Sequence, residues 1–170
     1  MMTATDVHEV VSRLEAAGVP FWLDGGWGID ALVGRETRPH DDLDLVVSRD
    51  TLGDACLALA PLGFEHAPEA APGLPARLVV RDPSGRQVDF HVVVFDHEGN
   101  GHQELDDGCW GLYPREGLVA FGSVAGRRIP CVTAEVQVRH HLGYELDDRD
   151  RADIRALATV FRLELPPDFG

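Results

Sequence analysis

Two aspartates separated by one residue, Asp42 and Asp44, are the first sign of chemistry in the sequence. They open an apolar run, Leu45-Val46-Val47, that is typical of a buried strand. Side chains at positions i and i+2 of a strand point to the same face, so the two carboxylates lie side by side, with about 6–7 Å between their α-carbons. Such carboxylates repel each other unless a cation lies between them, and hard oxygen ligands favour Mg²⁺ or Mn²⁺. The spacing therefore predicts a divalent metal site.

A glycine turn and a basic loop precede this pair. Gly25 and Gly26 stand at the start of a predicted helix over residues 27–33. Glycine lets backbone amides approach an anion closely, and the N-terminus of a helix attracts negative charge. Arg38 and His40 lie between that helix and the aspartate strand, and arginine suits phosphate because its charge is permanent and its donors are forked. We expect these four residues to bind phosphate groups.

A third carboxylate, Asp89, lies in an apolar strand predicted over residues 86–95. A charge near the start of a buried strand is costly unless it is paired or bound to a metal. Two roles stay open for Asp89: metal ligand, or general base that deprotonates an attacking hydroxyl. His91 shares its face of the strand and is a candidate to position substrate or to orient a carboxylate.

Two other uses of paired aspartates fit less well. Phosphatases of the haloacid-dehalogenase type place the first aspartate at the end of an apolar strand, whereas here the apolar residues follow Asp42. Metal-dependent glycosyltransferases lack a Gly-Gly-Trp turn and helix at this distance upstream.

The residues from 24 to 47 resemble the nucleotidyltransferase superfamily with the DNA polymerase beta-like fold. Within it, they are most similar to the small antibiotic nucleotidyltransferases of the lincosamide and aminoglycoside-2″ type. The superfamily's usual serine after the first glycine is absent here, where Gly26 stands. The matching motifs are Gly25-Gly26-Trp27, Ile29-Asp30-Ala31-Leu32 and Thr37-Arg38-Pro39-His40-Asp41-Asp42-Leu43-Asp44, and the similarity continues through Val88-Asp89-Phe90-His91 to Gly143-Tyr144-Glu145-Leu146.

The resemblance implies a mixed α/β nucleotidyltransferase fold and transfer of a nucleoside monophosphate, AMP from ATP, to a hydroxyl of a lincosamide- or aminoglycoside-like molecule. Asp42, Asp44 and Asp89 would form the catalytic and metal site. The substrate would contact His91 and three further residues, Trp110, Tyr144 and Glu145. The rival interpretation is an antitoxin that binds a helical partner protein, although such minimal domains lack the residues between 105 and 169 that would build an acceptor pocket.

Helices and strands alternate at first and hairpins follow, which favours a mixed twisted sheet with helices on its faces. Turn residues at 82–85 and 125–126 predict two hairpins, and Thr5 or Asp6 is expected to cap the first helix. We assign residues 1–132 to a catalytic core and 133–170 to a helical extension packed on it. Residues 67–75 are interpreted as a mobile loop, and 96–110 as weakly structured with Trp110 in a loop. Asp24 is assigned to the turn before the second helix.

The composition of the chain argues against some classes of binding partner. The chain has 170 residues and a formal net charge of −14. This charge argues against a nucleic-acid binder, since affinity for a phosphate backbone comes mostly from Lys and Arg. No apolar run reaches the roughly 18 residues of a membrane span, and no signal-peptide pattern is present. Three unpatterned cysteines predict reduced thiols in a cytoplasmic protein, and a bulky acceptor predicts a homodimer with a shared pocket.

Overall fold

The computed structural model describes residues 1–68, 75–105, 108–141 and 145–165 of the chain. These residues form a mixed sheet of nine strands in the order β3-β4-β5-β2-β1-β9-β8, with β6 and β7 continuing from β5. The helices are α1 Ala4–Ala16, α2 Gly25–Val33, α3 Leu52–Leu59, α4 Ala134–His141 and α5 Asp148–Phe161. The strands are β1 Phe21–Leu23, β2 Asp42–Ser48, β3 Glu65–His66, β4 Arg77–Arg81, β5 Gln87–Phe95, β6 Gly101–Glu104, β7 Trp110–Tyr113, β8 Ala120–Val124 and β9 Arg127–Cys131.

Strand β2 lies in the middle of the sheet, antiparallel to β1 and parallel to β5. Its apolar side chains Leu43, Leu45, Val46 and Val47 are buried, whereas Asp42 and Asp44 remain half-buried at its start. An apolar run covered on both faces is what a central strand requires. The predicted hairpins β4–β5 and β8–β9 are both confirmed.

Helix α1 packs its predicted apolar face, which includes Val7, Val11 and Leu14, into the main core. The predicted cap at Thr5 or Asp6 is wrong. The Thr3 hydroxyl accepts a hydrogen bond from the amide of Asp6, and the Asp6 carboxylate accepts one from the amide of Thr3. This reciprocal capping box begins the helix earlier than either candidate would.

A second apolar cluster joins α2 to the two C-terminal helices through Ile29, Val138 and Ile154. The side chain of Asp147 caps the first turn of α5 by accepting a hydrogen bond from the amide of Asp150. The division at residue 132 stays a prediction. Of the helices in the described ranges, none is long and apolar enough to cross a membrane.

The prediction of weak structure over residues 96–110 is wrong for its described part. The Asp96 carboxylate accepts hydrogen bonds from the amides of Glu98 and Asn100, closing a tight turn after β5. Strand β6 then pairs back on β5, and Trp110 opens the next strand, β7, rather than lying in a loop. The sequence of this segment gave no clear strand pattern, because the segment is polar and its strands are short and partly exposed. The loop predicted for 67–75 falls largely outside the described residues.

Candidate active site

The register of two parallel strands brings two of the predicted carboxylates together. Asp44 on β2 is the direct neighbour of Asp89 on β5. Ligand atoms of Asp44, Asp89 and His91 all lie within 4.8 Å of one another, so these three side chains form a possible metal-binding group. Two carboxylates in such a group supply the hard oxygens that Mg²⁺ and Mn²⁺ prefer, so the residues fit the predicted metal.

Asp42 lies two residues before Asp44, on the same strand and outside that three-residue group. Burial raises the pKa of the Asp42 carboxyl above its ordinary value of 3.8, and the nearby charge of Asp44 raises it further. A carboxyl with a raised pKa gains from a cation that lies beside it. The charge of Asp44 therefore disfavours the ionised form of Asp42, as the i, i+2 spacing of the two residues predicts.

His91 bridges two acidic side chains. Its Nδ1 lies 3.1 Å from Asp24 Oδ2, and its Nε2 lies 3.4 Å from Asp44 Oδ1. Burial alone would lower the pKa of His91, but the hydrogen bonds and charges of Asp24 and Asp44 outweigh it and raise the pKa to about 9. These contacts favour the protonated ring of His91, which lies between the two carboxylates and is placed to orient that of Asp44. This is one of the two roles that its position in the strand suggests.

Asp24 is part of the site and not only of a turn. It is the N-cap residue of α2, but its side chain makes no capping bond to that helix. Its carboxylate instead accepts a hydrogen bond from the Tyr113 hydroxyl at 2.9 Å and contacts His91. Burial would raise the pKa of Asp24, yet the bonds to His91 and Tyr113 and the His91 charge lower it to about 2.

Asp89 is fully buried and paired with an arginine that sequence reasoning did not single out. The Nε of Arg77, on the neighbouring strand β4, donates to Asp89 Oδ1 at 3.0 Å, and Nη2 forms an ion pair with Oδ2. The guanidinium thus makes one charge-assisted hydrogen bond to Oδ1, while Oδ2 is buried without a hydrogen-bond partner among the described residues. The prediction that a buried Asp89 must be paired or metal-bound agrees with this arrangement.

The glycine turn is closer to the carboxylates than a side chain would allow. Gly25 has φ +54°, and a Cβ built on it would clash with the carboxylate of Asp44. A Cβ on Gly26 would clash with the ring of His40. A side chain at position 26 would therefore occupy the space of the His40 imidazole. Helix α2 begins at Gly25 rather than Trp27, so its first amides, which lack intrahelical acceptors, face this turn.

His40 is buried beneath the turn rather than exposed in a loop. Its Nε2 lies 2.6 Å from Asp30 Oδ2, and the same carboxylate accepts a hydrogen bond from the amide of Thr37. Its ring also packs against Trp27 with 4.9 Å between the ring centroids. The side chain therefore joins α2 to the loop that carries Arg38.

Arg38 is held by the last helix. Its Nη2 donates to Asp153 Oδ2 at 2.7 Å, and its Nε donates to both oxygens of the same carboxylate. Asp153 is only 3 % exposed, while Arg38 is 28 % exposed. Burial would lower the pKa of Arg38, but the bonds to Asp153 raise it. The guanidinium is thus fixed at the edge of the site by a residue 115 positions away in the sequence.

Most of the residues of this site line a cavity of about 800 Å³, whereas Asp30, Asp89 and Asp153 are not among the described residues that line it. Its acidic floor comes from Asp24, Asp42 and Asp44, and one wall is formed by the glycine turn with Arg38 and His40. A further part of the lining comes from Trp110 and Leu112 of β7, which are 57 % and 42 % exposed. The lining therefore combines charged groups with partly exposed apolar side chains.

The remaining predicted contacts differ in their position. His91 and Trp110 line the cavity. Glu145 is exposed and is not among the described residues that line it. Tyr144 lies outside the described residues. Sequence reasoning missed Tyr113 and His140, whose rings meet edge-to-face at 4.5 Å beside the cavity, because only the pairing of β7 brings them together.

Comparison with known proteins identifies relatives of this chain. The model of the aminoglycoside-2″-adenylyltransferase family matches residues 6–157. A 2″-aminoglycoside nucleotidyltransferase of Escherichia coli is 37 % identical over 82 % of this chain and 73 % of its own length. A lincosamide resistance protein of Staphylococcus haemolyticus is 25 % identical over 94 % of this chain and 96 % of its own length.

Solved structures agree with these matches. The lincosamide adenylyltransferase LnuA, bound to lincomycin, superposes with a TM-score of 0.80 at 25 % identity, over 94 % of this chain and 98 % of its own. ANT(2″)-Ia in complex with adenylyl-2″-tobramycin shares the fold, with a TM-score of 0.74 at 22 % identity over 93 % and 88 % of the two chains. The predicted nucleotidyltransferase fold is thus confirmed. Because the family model spans most of its length, the chain belongs to the aminoglycoside-2″-adenylyltransferase family and is a nucleotidyltransferase.

Proposed function

We propose that this chain transfers AMP from Mg²⁺-bound ATP to a hydroxyl of a lincosamide- or aminoglycoside-like molecule. The observation that carries the proposal is the cavity of about 800 Å³, whose lining includes paired carboxylates, a glycine turn and the apolar side chains of Trp110 and Leu112. A pocket of that volume is within the range of drug-sized ligand sites. The names of the relatives supply the antibiotic class of the acceptor and the adenylyl group.

The nucleotide half of the cavity is formed by α2 and the loop after it. The amides of Gly25 and Gly26 lie at a helix N-terminus, where a phosphate is favoured. Arg38 adds a permanent positive charge, fixed in direction by Asp153. His40 lines the cavity too, but its buried bond to Asp30 suits it to support the turn rather than to meet phosphate directly.

Asp42, Asp44 and Asp89 would hold the metal, and Asp44 and Asp89 are the closest pair. A divalent ion at this place supplies charge stabilisation for the phosphates and for the leaving pyrophosphate. His91 keeps the Asp44 carboxylate oriented through the bond at 3.4 Å. Oxygen donors of this kind suit both Mg²⁺ and Mn²⁺.

The reaction forms one bond and breaks another. The acceptor oxygen attacks the α-phosphorus, and the bond from that phosphorus to the oxygen leading to the β-phosphorus breaks, so pyrophosphate leaves. The proton of the acceptor hydroxyl passes to a carboxylate, and Asp89 is the candidate base. Asp89 retains its two predicted roles, base and metal ligand, because its buried carboxylate, although not part of the described cavity lining, lies within 4.8 Å of ligand atoms of Asp44 and His91.

The acceptor would bind against Trp110 and Leu112, whose exposed side chains line the open half of the cavity. Partly exposed apolar walls favour a ligand with an apolar face, or a second subunit that completes the pocket. We retain the homodimer as a proposal, together with a cytoplasmic location. Membership of an enzyme family and the presence of this wall favour catalysis over the antitoxin interpretation.

A panel experiment tests the proposal. The protein is incubated with Mg-ATP and with single lincosamides or aminoglycosides, and the products are analysed by mass spectrometry. An acceptor whose mass increases by one AMP supports the proposal, provided that the Asp44→Asn variant gives no such product. Failure of every lincosamide and aminoglycoside to gain AMP, with an enzyme that binds Mg-ATP, would contradict the proposed acceptor class.

A further inference from the structure

Arg77 is a permanent cation placed inside the acidic site. Its guanidinium contacts both oxygens of Asp89, through Nε at 3.0 Å and through Nη2. Asp89 is fully buried, whereas the Arg77 side chain is 31 % exposed and lines the cavity. One partner of the pair is therefore fixed in the sheet, and the other borders open space.

The position of Arg77 follows from the strand register. On β4 it is the direct neighbour of His91, while Val79 is the neighbour of Asp89. From this place its charge also acts on Asp42, where it opposes the increase in pKa caused by burial and by Asp44. Arg77 and His91 are thus the cations that face the carboxylates of this site from β4 and β5.

The same carboxylate cannot serve Arg77 and a metal equally. Asp89 belongs to the group whose ligand atoms lie within 4.8 Å of one another, yet its Oδ1 accepts a hydrogen bond from Arg77 and its Oδ2, which has no hydrogen-bond partner among the described residues, forms an ion pair with Nη2. A lysine or histidine can lose its proton, but an arginine keeps its charge at any physiological pH. A metal that binds Asp89 is therefore opposed by the fixed positive charge of Arg77.

We propose that Arg77 is an internal counter-ion that competes with the divalent metal for Asp89. In the free enzyme it holds the buried carboxylate in place. When the metal binds, the guanidinium leaves Asp89 and moves into the cavity that it already lines. This inference rests on the proposed metal site, and it makes Arg77 a positioning residue that sets how tightly the metal binds.

The competition is tested by Mn²⁺ binding without nucleotide, measured from the electron paramagnetic resonance signal of free Mn²⁺. Arg77→Met removes the competitor and should tighten Mn²⁺ binding about tenfold or more, the size expected for one charge-assisted pair. Arg77→Lys keeps the charge but loses the fork and should fall between this variant and the wild type. Arg13→Met removes an exposed arginine of α1 that does not line the cavity, so it measures the effect of net charge alone.

Two further measurements show which residues cause the change in Mn²⁺ affinity and control for a loss of folding. Adding Asp44→Asn to Arg77→Met should abolish the gain in affinity, because Asp44 is the other carboxylate of the group. Loss of Arg77 leaves Asp89 buried and uncompensated, so the Tm of Arg77→Met should fall without metal and rise more with Mn²⁺ than the Tm of the wild type. Arg77→Lys retains a positive charge and serves as the variant that folds without metal.

The outcomes separate this inference from the proposed function. Equal or weaker Mn²⁺ binding by Arg77→Met and Arg77→Lys, with Asp44→Asn weakening the wild type, overturns the competition but keeps the metal site. Wild-type binding that Asp44→Asn does not change overturns both. A gain that Arg13→Met reproduces in full is a general charge effect and also overturns the inference.

Discussion

Asp44 and Asp89 are direct neighbours across two parallel strands, although they are 45 residues apart in the sequence. Asp44 reaches this position from the start of β2, which follows the loop that carries Arg38 and His40. Asp89 reaches it from β5 and is buried there with Arg77 as its partner. Strand register therefore brings the acidic side chains of the site together. The role that we propose for each of them can be tested.

Asp42→Asn should abolish turnover without harming the fold. The variant loses a negative charge beside the proposed metal, and about 4 kcal/mol of lost transition-state stabilisation is roughly a thousandfold in rate. Its free energy of unfolding should stay equal or rise, because Asn removes the repulsion by Asp44 that raises the pKa of this buried carboxyl. Steady-state kinetics and urea unfolding measure the two effects. Retention of more than about a tenth of wild-type turnover would be incompatible with a role at the metal.

Asp89→Asn separates the two roles of the third carboxylate. If Asp89 is the base, turnover falls while the affinities for Mg²⁺ and ATP stay nearly unchanged. If it is a metal ligand, the Mg²⁺ concentration needed for half-maximal activity also rises. Calorimetric titration of Mg-ATP into the variant decides between these results, and a fully active variant would place Asp89 outside the chemistry.

Asp153→Asn should raise the KM for ATP while kcat changes little. Asp153 contacts the guanidinium of Arg38 through three hydrogen bonds and does not itself line the cavity among the described residues. Without the Asp153 carboxylate, Arg38 is held less firmly, so the triphosphate binds more weakly in the ground state and in the transition state alike. A loss of this kind raises KM. Asp148→Asn, an exposed change in the first turn of the same helix, is the matched control. A loss confined to kcat would show that Arg38 acts on the chemical step instead.

Gly26→Ala should impair nucleotide binding more than its small size suggests. The added Cβ meets the buried ring of His40, which cannot move without breaking its bond to Asp30. Gly53→Ala is the control, since a Cβ there meets nothing within 4 Å and Ala favours the helix by about 0.5–1 kcal/mol. Nucleotide affinity is measured by calorimetry and stability by thermal unfolding. Equal ATP affinity in wild type and Gly26→Ala would show that the turn can relax.

The metal-free protein should lose stability as pH rises from 6.5 to 9. The pKa of His91 is raised from 6.5 to about 9 in the folded state, against the opposing effect of burial, by its bonds to Asp24 and Asp44. Its contribution is complete below pH 6.5 and is lost as pH rises through the folded pKa, amounting to about 2–3 kcal/mol at most. Urea unfolding in EDTA across this range measures the slope. His91→Gln should remove most of it, and an unchanged slope in that variant would assign the effect to other groups.

Local spacing and apolar context led to the three carboxylates that we propose as the catalytic and metal site. Asp42 and Asp44 follow from a period of two, and Asp89 from the cost of an unpaired charge in an apolar strand. Their partners could not be predicted in the same way, because Arg77 meets Asp89 through strand register and Asp153 meets Arg38 through the docking of α5. The strands that carry Trp110 and Leu112 were missed for a related reason: β6 and β7 are short strands whose pairing decides their structure, although Trp110 itself was predicted to contact the substrate. The predicted homodimer and the role of Tyr144 remain predictions.

Transfer of label from ATP tests nucleotidyl transfer most directly. An acceptor from the panel is incubated with the enzyme, Mg²⁺ and ATP labelled either on the α-phosphate or on the γ-phosphate. Nucleotidyl transfer predicts that the α-label becomes attached to the acceptor and that one pyrophosphate, carrying the γ-label, is released for each acceptor modified. Attachment of the γ-label to the acceptor, with ADP as the second product, would contradict it.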